Sequence, residues 1–292
     1  MPGKVPIIPP DTLAAVNVDL SGPVSGGRVR RRTGAARLRR AVGLLAILGL
    51  VGALAACGGA SAVTPPPPSL GTVVDIQVPA SIANIPLVEA NGTTTTLAAY
   101  RGKTVMIADF LSLCTDICPL ISANTVALAR ALNQDGVGND VALLEISVDP
   151  QRDTPARLAA YQKLFGPTVP NWTLLSASPA NTKRLWAYFH VSYGRQKEPN
   201  PPARDWLTHK PLTYDVEHSD NLIFLDPQGN QRFLVNASAD VQNHPVPGKL
   251  VQFLDGEGIK ALNKPKVVDD WTVTQGLSVF SWMLNTHLSD SS

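Results

Sequence analysis

The stretch Thr104–Pro119 reads TVMIADFLSLCTDICP, and it decides how the rest of the chain is interpreted. Its first eight residues, through Leu111, form an almost continuous apolar run, which is typical of a central strand buried on both faces. Cys114 and Cys118 follow at once, and the proline after them favours the first turn of a helix. The stretch therefore predicts a buried strand, a cysteine pair and a helix in direct succession.

A second strand and further helices are predicted after the cysteine pair. Val141–Val148 (VALLEISV) is again apolar throughout most of its length and predicts a second central strand. Thr154 is a suitable N-cap with Pro155 at the first helical position, so a helix is predicted to about Phe165. The other elements predicted in this half are a helix over 120–132, a short strand over 172–175 and a helix over 179–189.

The flanking segments complete an ordered series of strands and helices. On the N-terminal side we predict a strand over 72–78 and a hairpin over 86–97 that turns at Asn91-Gly92. On the C-terminal side we predict a strand over 191–193, a long proline-rich loop over 195–214, a hairpin over 221–235 and a helix over 273–288. This order is thioredoxin-like. We therefore expect an α/β fold with a central mixed β-sheet flanked by helices, an N-terminal hairpin and a long loop before His218.

The cysteine pair is suited to soft-metal or disulfide chemistry. Cys118 is at or near a helix N-terminus, where exposed N–H groups and the helix dipole stabilise a thiolate. Cys114 lies about one turn earlier, so both sulfurs can face one small ion or join as a disulfide. Two thiolates select chiefly Cu(I), and also Zn(II). An added imidazole would give a site that holds Cu(I) with three ligands and tolerates Cu(II).

Three segments of the chain stand out together, and these are Ser112–Pro119, Ile146–Thr154 and Val216–Ser219. Over about residues 85–235 their order and spacing resemble those of motifs in the SCO/SenC proteins, the copper chaperones of cytochrome c oxidase assembly. Ser112–Pro119 (SLCTDICP) is similar to the family's T-x-C-P-D-x-C-P. Ile146–Thr154 (ISVDPQRDT) is similar to S-[IV]-D-P-x-R-D-T. Val216–Ser219 (VEHS) is similar to the D-H-[ST] step that leads into a hairpin.

The resemblance implies a ligand set, a function and partners. Cys114, Cys118 and His218 would be the copper ligands, and the protein would deliver copper to the binuclear site of the oxidase copper-site subunit. A copper donor protein or a thiol reductant would be a further partner. The alternative is a thiol–disulfide oxidoreductase that reduces the oxidase copper-ligand cysteines. Thiol–disulfide oxidoreductases usually have a CxxC motif, whereas three residues separate Cys114 from Cys118 here. We therefore expect that the protein is not an enzyme, apart from an accessory reductase activity. A peroxidase is disfavoured, because Leu111 stands where peroxiredoxins have proline. A further alternative is a Cys114–Cys118 disulfide that only stabilises the fold.

Several residues depart from the family pattern without removing a donor atom. Thr115 replaces the usual proline between the cysteines, Ser112 replaces threonine, and Glu217 stands where aspartate is common. We expect these changes to affect loop geometry more than ligation. The tail beyond about Ala237 contains no motif that predicts a role. Asp149 is expected to cap the turn that follows it, and Asp116 to shape the loop or to influence partner docking. The remaining histidines are expected to be structural or exposed; these are His190, His209, His244 and His287.

The N-terminal region is typical of an exported lipoprotein. Seven arginines between Arg28 and Arg40 precede the uncharged apolar stretch Ala41–Ala56, and the sequence LAAC ending at Cys57 resembles a bacterial lipobox. We therefore predict an extension and signal peptide over 1–56, a lipidated Cys57, a proline-rich tether over 57–70 and a copper-binding domain over 71–292. The expected location is the extracytoplasmic face of the cell membrane. An uncleaved signal anchor is the alternative.

Charge gives no reason to expect a nucleic-acid partner. Residues 1–56 hold eight of the 25 basic residues and two of the 23 acidic residues, which leaves 17 basic and 21 acidic residues in the rest of the chain. A mildly acidic body of this kind offers no basic patch for a phosphate backbone.

Overall fold

The computed structural model describes residues 63–236, 238–241, 244–263 and 270–289. Cys57 and the predicted signal peptide lie outside these ranges. The strands within them are β1 (Thr72–Gln77), β2 (Leu87–Glu89), β3 (Thr94–Thr95), β4 (Thr104–Phe110), β5 (Val141–Ser147), β6 (Trp172–Ser176), β7 (Tyr193–Gln196), β8 (Asp215–His218), β9 (Leu222–Leu225) and β10 (Asn230–Val235). The α-helices are α1 (Ala80–Ala83), α2 (Cys118–Gln134), α3 (Pro155–Gln162), α4 (Pro179–Tyr188), α5 (Gly248–Val251), α6 (Gly256–Asn263) and α7 (Val273–Leu284).

The main sheet is mixed, as expected, and has eight strands in the order β1-β10-β9-β4-β5-β6-β2-β3. The central strands β4, β5 and β6 are parallel, whereas β9 pairs with β4 in the antiparallel direction. The N-terminal hairpin β2–β3 extends one edge, and β10 and β1 extend the other. This arrangement confirms the thioredoxin-like α/β fold.

The centre of the domain is built on the two apolar strands identified from the sequence. Every residue of β4 and of β5 is buried, as the continuous apolar runs predict for strands covered on both faces. Each strand nevertheless contains one fully buried carboxylate, Asp109 in β4 and Glu145 in β5. The carboxyl end of β4 leads directly to the cysteines, so the sheet fixes where the cysteine loop begins.

The C-terminal tail, which the sequence left without a role, packs on the helix that begins at Cys118. Gly276 of α7 lies so close to Leu128 of α2 that a Cβ there would be 2.7 Å from the leucine Cδ2. The Asn124 side chain of α2 donates to the carbonyl oxygens of Asp240, at 3.0 Å, and Trp271, at 3.2 Å. The tail therefore helps to hold α2 in place.

Several predicted boundaries differ from the structure. The strand predicted over 191–193 is observed as β7 at Tyr193–Gln196, so the first residues of the predicted long loop are strand. They pair with β8, which the sequence did not predict, because polar edge strands have no apolar periodicity. The C-terminal helix ends at Leu284, four residues early, where Asn285 takes a left-handed φ of 50°. No helix of the described ranges has the length and apolar character needed to span a bilayer.

Candidate metal centre

The first residue of α2 places one sulfur deep in the protein. Cys118 is fully buried, and its backbone N–H donates to Cys114 Sγ at 3.4 Å. Pro119 follows as the second helical residue, where its missing donor is tolerated. The chain from β4 through the loop thus turns so that both sulfurs meet at the positive end of a 17-residue helix.

His218 reaches the same point from the opposite side. It is the last residue of β8, where it pairs with Tyr193 of β7. Its Nε2 lies 3.1 Å from Cys118 Sγ. One donor atom each from Cys114, Cys118 and His218 lies within 4.8 Å of the others. The structure therefore brings together the three residues that the sequence motifs single out, although 100 residues separate Cys118 from His218.

The other ring nitrogen of His218 contacts a residue that the sequence did not identify. Nδ1 lies 2.6 Å from Oδ2 of Asp109, which is fully buried in β4. The second oxygen of Asp109, Oδ1, accepts a hydrogen bond from the backbone N–H of Asn221 at 2.9 Å. A charged residue inside an apolar strand was the one signal available in the sequence, because a buried carboxylate requires partners.

The three candidate ligands influence one another's protonation. Hydrogen bonding to Cys118 lowers the pKa of the Cys114 thiol well below its usual value, and His218 lowers it further. Burial raises the pKa of the Cys118 thiol well above its usual value, and the neighbouring Cys114 adds to this. Burial opposes protonation of His218, but Asp109 and Cys114 outweigh it and raise its pKa well above the usual value. The protonation of each candidate ligand therefore depends on its charged and hydrogen-bonding neighbours in the site.

The site opens to solvent through a cleft of about 280 Å³ with an acidic rim. The acidic residues that line the cleft are Asp116, Asp215, Glu217, Asp220, Asp255 and Glu257. Burial and the nearby Cys114 raise the pKa of Asp116 to about 6. Burial raises the pKa of Asp220 to about 7, although His218 opposes the shift. Cys114 lines this cleft and Cys118 does not, so Cys114 is the more accessible sulfur.

Residues of the second sequence motif, Ile146–Thr154, hold the start of the cysteine loop through hydrogen bonds. The Asp153 carboxylate is fully buried and accepts hydrogen bonds from the Ser112 backbone N–H, the Ser112 hydroxyl and, at 2.6 Å, the Ser147 hydroxyl. The indole N–H of Trp206 donates to the carbonyl oxygen of Ser112 at 2.7 Å. Ser112, which stands where the family pattern has threonine, is therefore hydrogen-bonded to a buried carboxylate, and the long loop takes part in fixing the start of the cysteine loop.

The remaining residues that the sequence analysis considered lie away from the donor group. Asp149 pairs with Arg152 and accepts a hydrogen bond from the Tyr214 hydroxyl at 3.0 Å, so it fixes a loop, as expected. The other histidines are exposed or half-buried, and in the described ranges none joins a metal-binding group; these are His190, His209, His244 and His287.

Fold and site together define a class of protein: a thioredoxin-like protein with a soft-metal site at the carboxyl ends of its central strands. Two thiolates and an imidazole suit a soft or borderline ion, so the donor set fits copper. The chain matches the SCO1/SenC family over residues 79–244, which is more than half of its length. It belongs to the SCO1/SenC family.

Individual relatives are similar over part of their length. The chain is 28% identical over 143 residues to protein sco1 of Schizosaccharomyces pombe, which covers 49% of this chain and 50% of that protein. It is 28% identical over 131 residues to a SCO2-like protein of Rickettsia prowazekii, which covers 45% of this chain and 62% of that protein. The chain thus spans about half to three fifths of these relatives.

Two solved structures are similar to part of this chain. The structure of Arabidopsis thaliana ScoI with copper bound is 26% identical and covers 57% of this chain and 92% of that one, with a TM-score of 0.42. The structure of a SCO1/SenC family lipoprotein from Bacillus anthracis is 20% identical and covers 63% of this chain and 95% of that one, with a TM-score of 0.44.

Proposed function

We propose that this protein is a copper metallochaperone that delivers copper to the binuclear copper site of cytochrome c oxidase, with Cys114, Cys118 and His218 as its ligands. The observation that carries the proposal is the donor group itself, with the three ligand atoms within 4.8 Å of one another. Membership of the SCO1/SenC family supports the oxidase copper site as the destination.

The unequal burial of the two cysteines supports an order of ligand exchange. Cys118 is fully buried, whereas Cys114 is 8% exposed and lines the cleft. A thiolate of the recipient entering the cleft would therefore replace Cys114 first, while Cys118 and His218 still hold the ion. Cys118 would leave last. Copper would pass between proteins without release as a free ion.

A thiol–disulfide oxidoreductase is the second candidate, and one observation favours it. Hydrogen bonding to Cys118 lowers the pKa of Cys114, and Cys114 is the accessible sulfur, so it is the natural attacking nucleophile. Such a reductase has no need for His218 Nε2. The side chain lies 3.1 Å from Cys118 Sγ and is held from behind by Asp109, an arrangement better suited to ligation.

We also infer that the domain is carried on the extracytoplasmic face of the cell membrane by a lipid on Cys57. The support is the order of sequence features: a basic cluster, an apolar run and a lipobox cysteine, followed by small residues and four prolines. Residues 57–62 would then act as the tether between the membrane and the domain. The tether predicted over 57–70 is too long at its end, because Leu70 is buried in the core and the Val63 backbone N–H donates to Asn285 Oδ1 at 3.1 Å.

The deciding experiment removes Nε2 and keeps the thiols. In His218→Asn the new amide can still donate to Asp109, so the variant avoids leaving a buried carboxylate without a partner. We expect much weaker copper binding and no Cu(II)–thiolate absorption band, while Cys114 and Cys118 still form a reversible disulfide. His209→Asn is the matched control, because His209 is exposed and has a φ of 60°, which asparagine tolerates.

The cellular outcome separates the two functions. For a chaperone, cells with His218→Asn should lose the binuclear copper centre of the oxidase at limiting copper, and added copper should restore it in part. Cys114→Ser and Cys118→Ser should lose both copper binding and the thiol couple. Normal oxidase in cells with His218→Asn at limiting copper, together with failure in the cysteine variants, would overturn the chaperone in favour of the reductase.

A further inference from the structure

Asp109 occupies a position that is costly unless the carboxylate has a specific task. It lies in the middle of the sheet, on β4, and is fully buried. An isolated carboxylate in such surroundings is strongly unfavourable, so buried charges are paired or hydrogen-bonded. Both of its oxygens have partners: Oδ2 contacts His218 Nδ1 at 2.6 Å, and Oδ1 accepts from Asn221 N–H at 2.9 Å.

These two contacts connect the segments that carry the candidate ligands. Asp109 lies five residues before Cys114, at the end of the strand that leads into the cysteine loop. His218 ends β8, and Asn221 precedes the first residue of β9, which pairs with β4. One carboxylate therefore sets the distance between the cysteine loop and the histidine, and the Asn221 N–H fixes the orientation of that carboxylate.

The contact also selects one form of the imidazole. A carboxylate only accepts hydrogen bonds, so the nitrogen facing it at 2.6 Å is the protonated one, Nδ1–H. Nε2 is then the nitrogen available to a metal ion, and it is the one that faces Cys118 Sγ at 3.1 Å. The carbonyl oxygen of Ser219 is a second acceptor for Nδ1–H at the longer distance of 3.1 Å.

We propose that Asp109 is a positioning residue of the metal site: it holds His218 in the Nδ1–H tautomer and in the orientation that presents Nε2 to copper. The inference rests on the proposed function and deepens it, because it explains how a histidine on a short edge strand is held against two sulfurs. In metal sites generally, such carboxylates orient the ligand histidine and raise its basicity.

Asp109→Asn is the decisive variant because it keeps the size of the side chain and changes one contact. The asparagine oxygen can still accept from Asn221 N–H. Its amide nitrogen then donates toward His218 Nδ1, which favours the Nε2–H tautomer that cannot bind metal. We expect Cu(I) affinity to fall by about 10- to 100-fold, the range typical for loss of such a partner. Nitrogen-15 NMR of the metal-free Asp109→Asn variant should show His218 protonated at Nε2 and not at Nδ1.

The matched control is Glu145→Gln. Glu145 is also fully buried and lies on the adjacent strand, but its hydrogen bonds go to Ser122 and Trp172. We expect this variant to keep the copper affinity and the His218 spectrum of the unmodified protein. Equal losses in both variants would show a general effect of removing a core carboxylate, and would overturn the proposal. So would an Asp109→Asn protein with unchanged affinity and an unchanged His218 spectrum.

The unmodified protein provides a test that does not depend on any variant folding. Its His218 Nδ1 should carry a proton in the metal-free and Cu(I)-loaded states, and an unprotonated Nδ1 would overturn the proposal. If the unmodified protein fails to bind Cu(I), the proposed function fails, but the NMR comparison with Asp109→Asn still decides whether Asp109 controls the tautomer.

Discussion

Thr115 and Asp255, 140 residues apart, are joined by a reciprocal pair of hydrogen bonds. The backbone N–H of Asp255 donates to the carbonyl oxygen of Thr115 at 2.8 Å, and the Thr115 hydroxyl donates to Asp255 Oδ2 at 3.0 Å. Proline, the usual residue between the cysteines in this family, has no hydroxyl for the second bond. The other oxygen of Asp255 accepts from the backbone N–H groups of Glu257 and Gly258, both at 2.9 Å, and so caps α6. A segment beyond the family match at 79–244 therefore rests on the cysteine loop.

The first prediction tests this contact with two glycines of α6. A Cβ at Gly258 would lie 2.6 Å from the Thr115 carbonyl oxygen and 3.0 Å from that of Asp116, so Gly258→Ala must push the helix away from the loop. We expect a loss of about 1–3 kcal/mol in the free energy of unfolding, the usual effect of overpacking. Copper affinity should fall too, because the loop between the ligands loses its support.

Gly256→Ala is the control for that variant. A Cβ at Gly256 meets nothing within 4 Å, and alanine favours a helix over glycine by up to about 1 kcal/mol. Denaturant unfolding and Cu(I) competition titrations on both variants measure the difference. Identical behaviour of the two proteins would show that the packing of α6 on the loop has no influence on the site.

The parts of the fold that sequence could predict are those with a local signal. β4 and β5 are continuous apolar runs, and Thr154 caps α3 by accepting from Arg157 N–H, as a threonine before a proline predicts. The candidate ligands were found through motif resemblance, which carries three-dimensional information from the family. Asp109 and Asp255 belong to none of the motifs. The contacts that connect them to the site, with His218 and with Thr115, span more than 100 residues, and only the folded chain brings these pairs together.

The second prediction concerns the pH dependence of stability through Glu145. This carboxyl accepts from the Ser122 hydroxyl at 2.7 Å and from the Trp172 indole at 3.3 Å, but burial dominates and raises its pKa from 4.5 to about 7. The folded state therefore binds the proton more tightly than the unfolded state. The contribution of Glu145 to the free energy of unfolding is fully present below pH 4.5 and is lost as pH rises through about 7.

Comparison with Glu145→Gln isolates this group from other carboxyls that titrate in the same range. A shift of this size corresponds to about 3 kcal/mol. The free energy of unfolding of the unmodified protein, relative to that of Glu145→Gln, should fall by roughly this amount between pH 4.5 and 8. Chemical denaturation across that interval measures it. A constant difference between the two proteins would show that Glu145 is already ionised in the folded state at low pH.

The third prediction concerns the anchor. If Cys57 ends a lipobox, Cys57→Ala should leave an unprocessed precursor or release the domain from its lipid, because the modified thiol is absent. Metabolic labelling with a fatty acid, followed by fractionation of membranes, checks this. Cys118→Ala serves as the control, since it removes a cysteine that lies inside the fold. Cys118→Ala should keep the fatty-acid label. If Cys57→Ala also keeps the label, Cys57 is not the lipidated residue.

The last prediction is that the metal-free domain is already folded and that copper stabilises it further. The core is built around β4 and β5, every residue of which is buried, and the candidate ligands lie at the end of this core. Small zinc domains differ, because their fold depends on the metal. Copper that binds only the folded state should add about 2.7 kcal/mol when its free concentration is 100 times Kd, and the melting temperature should rise accordingly. Cys114→Ser should melt cooperatively without copper and gain little when copper is added, since it lacks one of the two thiolates. Circular dichroism and calorimetry, with and without Cu(I), measure both properties. A metal-free protein that shows no cooperative melting and becomes ordered only with copper would contradict this account of the core.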